Sequence, residues 1–362
     1  PGNLHATSVV RFDYTLKPHL LYTQPMIDSS LPLIDLHRHL DGSLRLETIL
    51  DLGRKHNLPL PAWDVEGLRP YVQVLEPQPG IMAFIARFEW MTGVLVDADA
   101  CRRVAYECVE DARQEGIDYI ELRFSPLFMA EPHNLNPAAV VEAVVEGVQA
   151  GSQDFDLPCG LIGILSRTYG PQIAWKELEA LLSQREHIRG LDLAGDEAHF
   201  PGGWFEPHFK RAREAGWHIT VHAGEADGPH SVWQALNGLG AERIGHAVHA
   251  PEDEALMEAL AERQSGIEVS LTSNVQTTTV PDYASHPLRL FLQRGLCATL
   301  NSDDPGISRI TLRHEYDVAA PAAGLDDEMI RQAQRNALAA AFLTPQERQI
   351  LAERCARRAN QG

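Results

Sequence analysis

The chain has 362 residues, of which 44% are hydrophobic and 22% charged, so it can bury the large core of a globular protein. Its 31 basic and 50 acidic residues give a formal net charge of -19, and that field repels polyanions. We therefore expect no nucleic-acid partner and no membrane partner, while a small neutral ligand is not disfavoured. The N-terminus lacks the pattern of a signal peptide. The five scattered cysteines have no C-x-x-C spacing, which favours a reducing, cytoplasmic location.

The first elements in chain order indicate one large domain. Residues 1–30 show no regular pattern, and we interpret them as an N-terminal extension to a domain over residues 31–362. The stretch Leu58–Val96 is long for one connection and predicts extra helices. Asp99–Glu115 has the apolar spacing of a helix, Gly116 ends it, and Ile117–Phe124 reads as a strand.

This unit of helix, glycine and strand recurs along the chain. The predicted strands are Leu33–His37, Ile117–Phe124, Gly160–Leu165, Gly190–Ala194, Trp217–His222, Arg243–His246, Ile267–Leu271 and Leu296–Asn301. Strands separated by helix-length segments are parallel, because the crossover needs a helix. Eight of them predict an α/β fold that is a single (β/α)8 TIM barrel, with extra helices over its mouth and at its C-terminus. An open doubly wound sheet is the alternative, but no G-x-G-x-x-G motif follows any strand.

Histidines and aspartates stand at the C-terminal ends of several predicted strands. They are His37 and His39 on strand 1, His222 on strand 5, His246 on strand 6, and Asp303 with Asp304 after strand 8. In a barrel these ends open onto one face, where active sites lie. Three histidines and one aspartate would suit zinc, and a remaining histidine and a glutamate would handle protons. Binuclear barrels of this kind usually carry a lysine after strand 4, and Leu191–Glu197 contains none, which favours a single metal.

These residues belong to motifs that resemble those of bacterial adenosine deaminases. The similar segments are His37–Gly42, Asp192–Glu197, His222–Glu225, Arg243–His246, Thr272–Asn274 and Asn301–Pro305. The resemblance extends from about Leu31 to the C-terminus. The chain departs from the family pattern at Ala247, where glycine commonly follows the strand-6 histidine, and at Ser270-Leu271, where Cys-Pro is frequent.

The resemblance implies a metal set and two proton-handling residues. One zinc ion per chain would be held by His37, His39, His222 and Asp303. Glu225 would protonate N1 of the purine, and His246 would orient and deprotonate the water that attacks C6. A glutamate of ordinary pKa is ionised at pH 7, so we expect Glu225 to be buried with a raised pKa. The alternative is that Glu225 is a surface salt-bridge partner.

The resemblance also implies how a nucleoside would bind. Asp41 would contact the ribose 5′-hydroxyl, the backbone of Gly195 would meet N3, and Asp304 would meet N7. The implied reaction is the hydrolysis of adenosine, and of 2′-deoxyadenosine, to inosine and ammonia by a monomer or weak homo-oligomer. Asp41 and Asp304 could instead be simple helix caps.

Three other functions stay open at this point. Adenine deaminases resemble the same family but tend to have glutamate where Asp41 stands. A 6-aminopurine nucleotide deaminase would need arginine or lysine around the phosphate, and Arg38 and Arg45 are near the predicted mouth. A non-catalytic nucleoside-binding protein would be indicated by loss of a ligand or of Glu225, and all of these residues are present.

Overall fold

The computed structural model describes residues 27–359, in which eight parallel strands follow one another in chain order around a barrel. The strands are β1 (Ile34–His39), β2 (Tyr119–Phe124), β3 (Cys159–Ser166), β4 (Gly190–Ala194), β5 (His218–Ala223), β6 (Arg243–His246), β7 (Gly266–Val269) and β8 (Cys297–Leu300). Every predicted strand is present, and no end differs from its predicted position by more than two residues. The (β/α)8 prediction is confirmed.

Helices follow the strands on the outside and extend both ends of the barrel. They are α1 (Leu46–Lys55), α2 (Val65–Val72), α3 (Ile81–Ile85), α4 (Glu89–Thr92), α5 (Ala98–Gln114), α6 (Pro126–Ala130), α7 (Pro137–Phe155), α8 (Pro171–Leu182), α9 (Glu206–Glu214), α10 (Pro229–Gln234), α11 (Glu254–Arg263), α12 (Leu271–Gln276), α13 (Leu288–Gln293), α14 (Pro305–Ser308), α15 (Leu312–His314), α16 (Ala320–Ala322), α17 (Asp327–Ala340) and α18 (Pro345–Ala359). The predicted extra helices in the long connection are α2, α3 and α4.

The barrel closes between β8 and β1 at the position where the candidate site begins. Arg38 and Asp303 form a parallel bridge: the Asp303 N–H donates to the His37 carbonyl at 2.8 Å, and the His39 N–H donates to the Asp303 carbonyl at 2.8 Å. Below this bridge the Asn301 side chain accepts from the Leu36 N–H at 2.9 Å. Loop residues after β8 therefore complete the hydrogen bonding of β1, and this ties Asp303 directly to the histidine strand.

The opposite end of the barrel is closed by the C-terminal helices. Asp326 caps α17 through the Met329 N–H, and Thr344 and Glu347 form the reciprocal capping box that begins α18. Phe342, between the two helices, packs against the Arg243 guanidinium at 3.5 Å. This end carries none of the candidate site residues, so its role is to support the barrel.

The N-terminal extension falls almost entirely outside the described residues. Of residues 1–30, the structure describes only 27–30, where the Asp28 N–H donates to Gln334 Oε1 at 2.9 Å. The five cysteines are all free. Among residues 27–359, no helix has both the length and the apolar character needed to cross a membrane.

Candidate active site

Four side chains from three parts of the barrel converge at the C-terminal ends of the strands. His37 and His39 end β1, His222 lies on β5, and Asp303 follows β8. His37 Nε2 lies 3.3 Å from Asp303 Oδ1, His39 Nε2 lies 3.4 Å from the same oxygen, and the Nε2 atoms of His39 and His222 are 3.3 Å apart. One ligand atom from each residue lies within 4.8 Å of the others, and all four residues are buried.

The donor set fits a bound metal ion. His37 Nε2 is buried without a hydrogen-bond partner, and a buried nitrogen of this kind needs a compensating ligand. The three imidazoles also crowd within ring-centroid distances of 4.6–5.3 Å, with nitrogens facing one centre. Three imidazole nitrogens and a carboxylate oxygen form a set that divalent metals such as zinc accept. The predicted ligands are therefore brought together.

Two buried carboxylates orient the ligand histidines from behind. His37 Nδ1 is 2.7 Å from Glu268 Oε2, and His222 Nδ1 is 3.0 Å from Asp192 Oδ2. Each neutral imidazole can donate its Nδ1–H to a carboxylate, which leaves Nε2 free to bind metal. Burial lowers the pKa of His222 to about 3 and lowers that of His37 as well, and the neutral form is the one that ligates.

Arg123, which sequence reasoning did not select, connects these two carboxylates. Its Nη1 donates to Asp192 Oδ2 at 2.8 Å and its Nη2 donates to Glu268 Oε2 at 2.7 Å, with all three side chains fully buried. The same oxygens face the ligand histidines. Two charged residues, Glu121 and Arg123, inside one predicted barrel strand were a signal for it, because a buried charge requires a partner.

His39 has a different environment from the other ligands. Burial alone would lower the pKa of His39, but Asp304, Asp41 and Asp303 together raise it to about 9. A metal at this site would therefore displace a proton from His39, which makes metal binding dependent on pH.

Glu225 and His246 face the ligand cluster from one side. Glu225 is only 4% exposed, and burial raises its pKa to about 7, so the surface salt-bridge alternative is wrong. His246 Nε2 lies 3.6 Å from Glu225 Oε2 and 3.8 Å from Asp303 Oδ2. The arrangement places a protonatable carboxyl and an imidazole beside the candidate metal position.

The backbone conformation around His246 explains why glycine is common at position 247. His246 has φ +67° and Ala247 has φ +52°, both in the left-handed region that favours glycine. Ala247 therefore holds a conformation that costs an L-residue roughly 1 kcal/mol or more. Alanine replaces the usual glycine at position 247, but the backbone keeps the left-handed conformation that positions His246.

Asp41, Gly195 and Asp304 all line the open pocket beside the cluster. Asp41 is not the cap of α1, whose N-cap residue is Arg45. Asp304 stands at the N-cap position of α14, but its side chain makes no capping hydrogen bond. Asp41 Oδ1 and Asp304 Oδ1 are buried without hydrogen-bond partners. Burial and the neighbouring Asp303 raise the pKa of Asp304 well above its usual range, so its carboxyl can act as a donor.

The rest of the pocket wall is apolar or carries hydroxyl groups. The added helices contribute Ile81, Met82, Phe84, Ile85 and Phe88. Ser125 and Ser166 line the opposite side and are hydrogen-bonded to each other at 2.8 Å. Neither serine was selected from the sequence, because no motif distinguishes them from other strand-end residues.

No arginine or lysine among the described residues lines this pocket. Arg38 extends beneath the barrel mouth to Glu115 at 2.9 Å, and Arg45 pairs with Asp111 and Glu110, both at 2.6 Å. Arg38 and Arg45 were the reason for considering a phosphate-binding site, but both form ion pairs outside this pocket.

Comparison with known proteins agrees with this geometry. Residues 32–358 match the family model described as adenosine deaminase. An adenosine deaminase of Edwardsiella ictaluri is 59% identical over 326 residues, which cover 90% of this chain and 98% of that protein. An adenosine deaminase of Escherichia coli is 56% identical over 331 residues, which cover 91% of this chain and 99% of the relative.

A solved structure has the same fold at lower identity. An adenine deaminase from Arthrobacter aurescens superimposes with a TM-score of 0.84 at 24% identity, covering 91% of this chain and 99% of that chain. At this identity the likeness concerns the fold alone. The family match over most of the chain is the finding that decides membership: this protein belongs to the adenosine deaminase family.

Proposed function

We propose that this protein hydrolyses adenosine, and 2′-deoxyadenosine, to inosine and ammonia with one zinc ion per chain. The adenosine deaminase names of relatives that are 56–59% identical support the substrate. The buried carboxyl of Glu225 beside the ligand cluster is the observation that carries the proposal, because the reaction needs a proton at the purine ring.

The metal position follows from the residues that would hold it. His37, His39, His222 and Asp303 would bind zinc, with Glu268 and Asp192 orienting His37 and His222. When bound, a divalent metal supplies an activated water by lowering the pKa of water from about 16 to about 7. The remaining steps belong to side chains of the protein.

Glu225 supplies the proton that makes the purine electrophilic. Attack of water oxygen on C6 moves electron density onto N1, and a protonated Glu225 donates its proton there. Burial keeps this carboxyl partly protonated at neutral pH, with a pKa of about 7. His246 lies on the same side of the cluster, with its Nε2 3.6 Å from Glu225 Oε2, and orients the attacking oxygen. The attacking water contributes both protons that the products need. One replaces the proton that Glu225 donates to N1, and the other converts the amino group to ammonia, which leaves as the C6 carbonyl forms.

The pocket walls provide contacts for the rest of the nucleoside. The unpartnered Oδ1 of Asp41 can accept from the ribose 5′-hydroxyl, and a protonated Asp304 can donate to N7. Gly195 has φ +110°, and a Cβ there would lie 2.6 Å from Thr168 Oγ1. A larger residue would therefore be strained here and would displace Thr168, and the backbone of Gly195, which lines the pocket, is assigned the contact with N3.

The same walls favour a nucleoside over the two alternative substrates. Free adenine would leave Asp41 Oδ1 without a hydrogen-bond donor, and a buried unsatisfied carboxylate oxygen costs binding energy. A nucleotide would bring a phosphate to a wall that has no arginine or lysine among the described residues.

The test is Glu225→Gln assayed by the ultraviolet change from adenosine to inosine. General acid catalysis contributes about 10²- to 10⁴-fold, so we expect turnover to fall by that factor while the zinc content stays near one per chain. Glu315→Gln is the matched control, because Glu315 is equally buried with a pKa near 7 but does not line the pocket. Near-normal turnover of Glu225→Gln would reject the assigned role, and an inactive wild-type protein would reject the proposal.

We also infer that the catalytic domain spans residues 31–362, with 1–30 as an extension, and that the enzyme is cytoplasmic and a monomer or weak homo-oligomer. The five unpaired cysteines support a reducing compartment.

A further inference from the structure

We propose that His286 and Asn274 act as positioning residues that keep the proton of His246 on Nε2. His246 then faces the attacking oxygen as a hydrogen-bond donor. This inference deepens the proposed function and rests on it. It depends on three consecutive hydrogen bonds, each of which can run in only one direction.

The first bond determines the tautomer of His286. The backbone N–H of Leu288 lies 3.0 Å from His286 Nδ1, and a backbone N–H can only donate. Nδ1 of His286 is therefore an acceptor. Burial lowers the pKa of His286 to about 3, so its ring is neutral and carries its single proton on Nε2.

The second bond determines the orientation of the Asn274 amide. His286 Nε2 lies 3.2 Å from Asn274 Oδ1, and the Nε2–H must donate to an acceptor. A rotated amide would turn its NH2 group toward that N–H and leave two donors in contact. Asn274 is fully buried, so no water can relieve such a contact. The carbonyl oxygen of Asn274 therefore faces His286.

The third bond transfers this orientation to the site. With Oδ1 facing His286, Asn274 Nδ2 faces His246 Nδ1 at 3.1 Å and donates to it. The other proton of the same amide points to Glu225 Oε1 at 3.5 Å. Nδ1 of His246 is thus an acceptor, and a neutral His246 carries its proton on Nε2. The Asn274 amide thus donates hydrogen bonds to both His246 and Glu225.

The surroundings of His246 Nε2 agree with a donor at that atom. Two carboxyl groups lie near this atom, with Glu225 Oε2 at 3.6 Å and Asp303 Oδ2 at 3.8 Å, and a carboxyl oxygen can accept a hydrogen bond. A proton on Nδ1 would meet the Asn274 NH2 and find no acceptor. The resemblance implied two roles for His246, to orient the attacking water and to accept its proton. These three hydrogen bonds support the first role and not the second.

The decisive measurement is the tautomer of His246 by ¹⁵N NMR of the metal-bound enzyme labelled at histidine. We expect the Nε2–H form. His208 is an internal reference in the same spectrum, because its Nε2 lies 2.9 Å from the Pro171 carbonyl, which can only accept. A His246 signal of the Nδ1–H form in the wild-type enzyme would overturn the inference, whatever the variants show.

Asn274→Asp tests the consequence for catalysis. A carboxylate at this position accepts from His246 Nδ1 and reverses the tautomer without changing the shape of the side chain. We expect the Nδ1–H form and a fall in kcat of about 10²-fold or more, with metal content unchanged. His286→Phe, which removes the donor to Asn274, should give a mixture of tautomers and a smaller loss.

The outcomes separate this inference from the proposed function. A reversed tautomer with undiminished kcat in Asn274→Asp would show that His246 accepts the proton, and would overturn the inference alone. A wild-type enzyme that has no activity on adenosine would overturn the proposed function instead.

Discussion

Arg123 allows a direct test of whether the buried carboxylates support the metal site. The perturbation is Arg123→Lys, which keeps the positive charge but removes the planar fork. In the structure one guanidinium reaches Asp192 Oδ2 at 2.8 Å, Glu268 Oε2 at 2.7 Å and the Leu36 carbonyl at 2.7 Å. A single shorter ammonium cannot hold both carboxylates in these positions. At least one ligand histidine then loses its fixed orientation.

The expected magnitude follows from the number of ligands affected. Removing a group that orients a metal ligand typically costs 10- to 100-fold in metal affinity. Arg123 supports the partners of His37 and His222, so we expect the zinc Kd to rise by about 100-fold.

The assay is competition for zinc against a chelator of known affinity, with the absorption spectrum of the cobalt-loaded protein as a report on ligand geometry. Arg243→Lys is the matched control. Arg243 lies in the same buried network, but it contacts Glu268 through Oε1 and Glu121 through Oε2, not the oxygen that holds His37. We expect the control to lower the free energy of unfolding with little change in zinc Kd. A Kd within about threefold of the wild type in Arg123→Lys, or an equal loss in Arg243→Lys, would refute this reasoning.

Four further predictions concern the same face of the barrel. Gly42→Ala should lower kcat/KM for adenosine with zinc retained, because the new Cβ would lie 1.8 Å from Asp304 Oδ1; unchanged kinetics would argue against a substrate contact by Asp304. The kcat/KM profile should fall as pH rises through about 7, because Glu225 acts in its protonated form, and a profile flat from pH 6 to 8 would contradict that. Since folding raises the pKa of Glu225 from about 4.3 to about 7, the folded state binds more protons in that window and its stability falls as pH rises. Glu225→Gln should therefore stabilise the metal-free protein above pH 7, by up to about 3 kcal/mol in urea unfolding, and should change its stability little below pH 4. Zinc at 1,000 times its Kd should add about 4 kcal/mol to the stability, so a chelator should lower Tm in the wild type but much less in His37→Ala.

The sequence alone determined the barrel and the residues at its mouth. Its alternation of helix, glycine and strand implies parallel strands, and parallel strands place their C-terminal ends on one face. For this reason the strand-end histidines and aspartates could be grouped although they lie far apart along the chain. The resemblance then implied that His37, His39, His222 and Asp303 form the metal set. The capping box of Thr344 and Glu347 depends only on neighbouring residues, so the local sequence is enough to specify it.

Only the tertiary structure decided which residues orient the metal-ligating histidines and which partners the charged side chains have. Arg38 and Arg45 are close to the mouth in sequence, but their partners Glu115 and Asp111 lie on another segment and draw them away from the pocket. The roles of Arg123 and His286 depend on hydrogen bonds to residues that are distant in the chain, such as Glu268 and Asn274. The raised pKa of Glu225 comes from burial, and burial exists only once the chain has folded. A motif identifies which groups are present, but the direction of each hydrogen bond and the state of each proton are set by the surrounding fold.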